Sequence, residues 1–224
     1  MATRTERKTA HELLAAHGRT YAEDAGIRLR NTPQPLYQLL VLSSLLSARI
    51  RAEVAIDAAR ALFGAGMRDP RRMADATWQQ RMDALGAGHY RRYDVRTATQ
   101  LGEGAALLLE RYGGDLRALR DEVGRRPKGE ALAEYKRLLR AVTPGLGPVG
   151  ADIFLREVQG VWPEVAPYFD GKTVQGAGRL GLPTTARELA GLADRDHYPA
   201  LAAALVRSAL DKRVAEDVAG RTSR

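Results

Sequence analysis

An all-α fold is predicted by three observations. Apolar residues recur at helical spacing along most of the 224 residues, and glycines and prolines gather at the breaks between those stretches. Nowhere do apolar and polar residues alternate over a useful length, so strand structure is expected to be minor. Hydrophobic residues make up 45% of the chain, enough to fill one large core or two smaller ones. There is no internal repeat and no low-complexity segment.

Taken in order, the spacing predicts a polar, alanine-rich helix over His11–Glu23, then a break at Asn31–Pro35. Pro35 suits the first turn of the next helix, Leu36–Ala48, which is apolar on nearly every side and therefore expected to be buried. Arg51–Phe63 carries Val54, Ala58, Ala59 and Leu62 on one stripe and ends at Gly64 and Gly66. Pro70–Leu85 reads as one helix closed by Leu85–Tyr90, followed by helices over Tyr93–Tyr112 and Asp115–Val123. A basic loop, Gly124–Glu130, leads to a helix whose Leu132, Tyr135, Leu138, Leu139 and Val142 form one stripe. After a glycine turn come a helix over Gly150–Val158, a loop with Trp162, Pro163 and Pro167, and a helix starting near Lys172. Thr185–Leu192 and Tyr198–Val218 close the chain, the latter with Leu201, Leu205, Ala209 and Leu210 on a packing face.

Lys and Arg outnumber Asp and Glu by 35 to 27, a formal charge of +8. That excess favours an anionic partner, nucleic acid before a membrane surface, although an arginine-rich proteome would give the same composition. With no cysteine, disulfides, Cys-ligated zinc and a Cys-held iron–sulfur cluster are excluded. His11, His17, His89 and His197 are scattered without ligand spacing, so no metal site is expected from them. The charged N-terminal stretch lacks the apolar core of a signal peptide, and Leu36–Ala48 is too short to span a bilayer and interrupted by Gln38, Ser43, Ser44 and Ser47. A soluble, cytoplasmic protein is expected.

The stretch VTPGLGPVGADIF, Val142–Phe154, places three glycines and two prolines within seven residues between two helical segments. Glycine lets backbone approach a ligand closely, and the amides opening the second helix are unpaired with the helix dipole behind them. Such a turn can hold one phosphate independently of base sequence. The plainer alternative is a Gly-Pro connection between antiparallel helices.

PGLGPVGA, Pro144–Ala151, resembles the hairpin of the helix-hairpin-helix DNA glycosylases, the superfamily of endonuclease III and 3-methyladenine DNA glycosylase II. Those proteins carry a catalytic aspartate about twenty residues beyond the hairpin after a Pro-rich loop, and PEVAPYFDGKTVQGAGRLGL puts Asp170 there. PLYQLLVLSSLLSARI is similar to the family helix ending in LLSAQ, and LGAGHYRRYDVRTATQL to its GLYNSKA segment, so the resemblance runs from about Pro35 to Leu182. It implies a two-lobed, all-α glycosylase fold, with a six-helix lobe over 32–160 and a second lobe built from 1–31 and 161–224.

By the same resemblance, the chain is a monomeric monofunctional DNA glycosylase of base excision repair acting on duplex DNA with a damaged base. It flips that base out and hydrolyses its N-glycosidic bond with Asp170 and water. Asp170 can equally be an ordinary helix N-cap. The lysine of the bifunctional members falls at Val149, which has no amine, as in the alkylation-repair branch. The backbone amides of Gly145, Gly147 and Gly150 are expected on a phosphate, and the carbonyls of Ala141, Thr143 and Leu146 on a monovalent cation. Arg49 takes the place of the glutamine that fills the space of the flipped base. His89 or Tyr90 is expected to wedge into the stack, with Arg91, Arg92 and Lys172 on phosphates. Arg125, Arg126 and Lys128 would add non-specific attraction, and Trp162, Tyr168 and Phe169 are candidate stacking surfaces. No iron–sulfur cluster and no other cofactor is implied. The alternatives are a hairpin protein that binds DNA without chemistry, and a glycosylase with lyase activity through another amine.

Overall fold

The computed structural model describes residues 2–126 and 129–222, and every regular element among them is helical. None of these helices is long and apolar enough to cross a membrane. The chain divides into two compact units, one of residues 22–154 and one of residues 1–21 with 155–224. The division begins the first unit ten residues before Thr32 and closes it six before Gly160, the bounds expected from the sequence.

The 22–154 unit opens with the end of the short α2 (Tyr21–Asp24) and continues through α3 (Pro33–Leu46) and α4 (Ala52–Gly64). The expected single helix over Pro70–Leu85 is two, α5 (Pro70–Asp75) and α6 (Trp78–Ala87). Asp69 caps the start of α5 by accepting from the Arg72 amide, and the division comes at Thr77, which forms a capping box with Gln80 while Ala76 is extended. α7 (Asp94–Tyr112), α8 (Leu116–Gly124) and α9 (Ala131–Ala141) follow, and α10 (Pro148–Val158) carries the chain into the other unit. α3 is the buried spine, with Leu36, Leu39, Leu42 and Leu45 fully enclosed, as its all-round apolar sequence requires. Leu132, expected on the buried stripe of α9, is partly exposed, whereas Tyr135, Leu138 and Leu139 are buried.

Arg81 ties three of these helices together. Its Nε donates to the Ala98 carbonyl at 2.7 Å and its Nη1 to those of Met73 at 3.0 Å and Ala76 at 2.6 Å. Gly102 makes room, because a Cβ there would lie 2.7 Å from the guanidinium.

The other unit packs α1 (Arg4–His17) against α13 (Tyr198–Leu210) and α14 (Lys212–Thr222), with α11 (Gly171–Arg179) and α12 (Ala186–Ala190) completing it. A capping box of Thr3 and Glu6 starts α1 seven residues before His11, the expected start, and Gly18 closes it at His17. The predicted helix Tyr198–Val218 is broken at Asp211, whose extended backbone ends α13 and whose carboxylate accepts from the Arg213 amide at 3.0 Å. That break turns Leu210 outward, 63% exposed, while Leu201, Leu205 and Ala209 stay buried. Leu13, Leu189, Leu201, Leu205 and Val218 share this unit's core. α11 crosses α13 at Gly176, where any Cβ would fall on the Leu205 carbonyl.

Candidate functional site

The glycine turn is built as its sequence requires. α9 ends at Ala141, the Leu146 amide donates to the Thr143 carbonyl at 3.0 Å, and Pro148 opens α10 where no amide is needed. Gly145 sits at φ +81°, a left-handed conformation that other residues adopt only with strain. Gly150 is required for a different reason: a Cβ there would run into the Leu146 side chain and lie 3.2 Å from Ser47 Cβ. Leu146 is thereby folded inward as the plug of the turn, and it is buried.

The amides of Gly145, Gly147, Val149 and Gly150 make no hydrogen bond with any described residue; the first intrahelical bond of α10 runs from Ala151 to the Gly147 carbonyl at 3.2 Å. Unpaired amides at the positive end of an eleven-residue helix are able to accept an anion without any side-chain charge of their own. Val149 is 59% exposed beside them and offers no amine. Of the three residues expected to present carbonyls to a cation, Thr143 already accepts from Leu146, and Thr143 and Leu146 are buried.

Asp170 caps α11. Its Oδ1 accepts from the Thr173 amide at 3.1 Å and its backbone carbonyl from the Thr173 hydroxyl at 2.6 Å. Its Oδ2 lies 3.6 Å from Nε of Arg156 on α10, and these side chains are only 9% and 7% exposed. Gln159, in the turn just after α10, fixes the approach to Asp170. Its amide nitrogen donates to the carbonyls of Arg156 at 2.9 Å and Tyr168 at 3.1 Å, and its Oε1 accepts from the Tyr168 amide at 2.8 Å. A carboxylate offers about four acceptor directions. Those facing Thr173 and Arg156 are occupied.

The remaining expected residues divide. Arg49 is exposed in the turn after α3 and makes no hydrogen bond or ion pair with described residues. His89 is exposed at φ +61°, the one non-glycine with positive φ among the described residues. Such conformations persist only where the surroundings impose them. Tyr90 is not a wedge in this structure. It is buried, its hydroxyl 3.4 Å from that of Thr97, and burial pushes its pKa up.

Arg91 and Arg92 are exposed, and the guanidinium groups of Arg92 and Arg96 lie 5.3 and 5.6 Å from the centre of the Tyr93 ring. Lys172 is exposed and donates to Gln175 Oε1 at 2.8 Å. Arg126 pairs with Glu134 at 3.3 Å, Arg125 is exposed, and Lys128 lies outside the described residues. Trp162, Tyr168 and Phe169 are all buried, with Phe169 edge-on to Tyr198 at 5.9 Å, so their rings serve packing instead of presenting open faces.

Sequence reasoning missed Arg156, Gln159 and Thr173. Arg156 did leave a signal: it interrupts the apolar run Ile153–Val158, and a charge within a buried helix face is almost always paired. No group of three or more histidine, cysteine or acidic residues among the described residues is arranged to hold a metal. No protein-family model matches the chain, and no curated protein matches it in sequence.

Proposed function

We propose that the protein is a monofunctional DNA N-glycosylase that holds duplex DNA by the Pro144–Gly150 turn and uses Asp170 for hydrolysis. The observation that carries this reading is the turn itself, with four unpaired amides at the start of a helix. A phosphodiester oxygen satisfies such amides without reading a base, and the net charge of +8 supplies the general attraction. Arg49 and His89, both exposed, would enter the space left by a flipped nucleotide.

Cleavage breaks the bond between C1′ and the base nitrogen. Its electron pair leaves with the base, and C1′ becomes part of an oxocarbenium-like cation. The Asp170 carboxylate stabilises that cation, water adds to C1′, and the proton lost by the water passes to the departing base through solvent. The products are a free base and an abasic sugar in an unbroken strand. Val149 supplies no amine for a Schiff base, so strand scission through that position is not part of the reaction.

One observation favours a second reading, a DNA-binding protein without chemistry. Asp170 is already paired with Arg156 and bonded to Thr173, as a purely structural helix cap would be. The test is single-turnover cleavage of duplexes carrying alkylated purines, oxidised pyrimidines, 8-oxoguanine, uracil or mismatches, scored with and without alkali. Breaks that need alkali support the glycosylase. Breaks without alkali, together with an adduct trapped by borohydride, mark a lyase. Tight, salt-sensitive duplex binding with no cleavage of any lesion marks the binding protein.

A further inference from the structure

Behind the glycine turn, between α3, α7 and the turn itself, lies a cavity of about 40 Å3. One of its walls carries a buried polar group without a partner. The Thr143 hydroxyl is the one fully buried side-chain polar atom among the described residues with no hydrogen-bond partner, in a residue only 8% exposed. The half-buried side chain of Gln100, on α7, makes no hydrogen bond with any described residue, and its carboxamide lies so close under Gly145 that a Cβ there would overlap it. Two other hydroxyls of the wall have protein partners, Ser44 with the Leu40 carbonyl at 3.1 Å and Thr97 with Tyr90 at 3.4 Å. No charged side chain lines the cavity.

A buried hydroxyl without a partner is costly, and native proteins meet that cost with ordered water. At 10–15 Å3 each, the volume holds about three water molecules. A neutral wall suits water better than an ion.

We propose that the cavity is a hydrated socket, and that Gln100 and Thr143, bridged by its ordered water, are positioning residues that hold the turn with its free amides outward. This inference rests on the reading of the turn as a phosphate grip. Pro144 and Gly145 form the cavity's outer wall, so the groups beneath them set how the backbone stands above it. Gly104 permits the approach from below, a Cβ there lying 3.3 Å from Pro144 Cδ.

The test pairs two measurements on the full chain. Fluorescence anisotropy with an undamaged duplex compares wild type with Gln100→Leu, Thr143→Val and Thr143→Ser. Water–protein ROE spectroscopy looks for long-lived water beside Thr143. The socket predicts affinity weakened about three- to tenfold in Gln100→Leu and Thr143→Val, restoration in Thr143→Ser, and an unchanged salt slope because no cation leaves the interface. It also predicts an ROE from bound water to the Thr143 side chain in the free protein. Unchanged affinity in both variants overturns the positioning role, and absence of the ROE in a wild type that binds duplex overturns the socket. A wild type without duplex affinity overturns the grip reading itself, with the ROE deciding hydration separately.

Discussion

The pair Arg156–Asp170 gives the sharpest test of how the candidate carboxylate is held. Replacing Arg156 by Met keeps an unbranched apolar stem and removes the guanidinium charge, leaving a carboxylate that is 9% exposed with one amide bond from Thr173. At 3.6 Å and an effective dielectric constant of about 20, the attraction lost is about 4–5 kcal/mol. Part of that is offset because the buried guanidinium no longer has to be desolvated. The net cost expected is about 3 kcal/mol, near the lower end for a buried pair with one partner removed. In a chain of this length that lowers the melting temperature by about 6–12 °C.

The assay is a double-mutant cycle by thermal and denaturant unfolding with Arg156→Met, Asp170→Asn and the double variant. Asparagine still caps α11, so its loss is electrostatic. The double variant should cost less than the sum of the singles by about 2 kcal/mol. A coupling below about 0.5 kcal/mol would show that the two charges do not depend on each other, and the account of Asp170 as a clamped carboxylate would be wrong.

Three further outcomes are expected. Gly176→Ala forces a Cβ onto the Leu205 carbonyl and must part α11 from α13. A loss of about 3 kcal/mol in denaturant unfolding is predicted, and a neutral result would contradict that crossing. Arg81→Met leaves the carbonyls of Ala98, Met73 and Ala76 without their donor and should cost about 3 kcal/mol in the same assay, against little change for the exposed Arg91→Met. The hydrogen bond from Arg221, and then that of His17, holds Asp217 below the usual carboxylate range. The tie between α1 and α14 is therefore fully present above about pH 4 and lost as pH falls through the depressed value. NMR titration of Asp217 should show the low midpoint, and Asp217→Asn should remove that part of the acid sensitivity.

How much was legible in the sequence depended on how local the cause was. The turn at Pro144–Gly150 could be read because glycine and proline act through their own backbones. The break at Thr77 was also local, and its Thr-x-x-Gln pattern stood in the sequence, but Pro70–Leu85 reads as one helix when that cap is passed over. Asp211 breaks α13 from α14 by the same kind of cap within a run of good helix formers.

Tyr90 misled for another reason. It lies beside exposed Arg91 and Arg92, and only the packing of α6 and α7 reveals that it points inward. The partners of Asp170 were partly hidden too, since Arg156 comes from a different helix fourteen positions earlier in the chain.

Under the proposed function, binding and chemistry reside in separate residues, the turn for the grip and Asp170 for the reaction. That separation is tested most directly by measuring duplex affinity and single-turnover cleavage of the preferred lesion together, for wild type and Asp170→Asn, at a temperature where both are folded. For Asp170→Asn the expected result is affinity within about threefold of wild type and a cleavage rate lower by at least about a hundredfold. Cleavage that survives the loss of the carboxylate would contradict it.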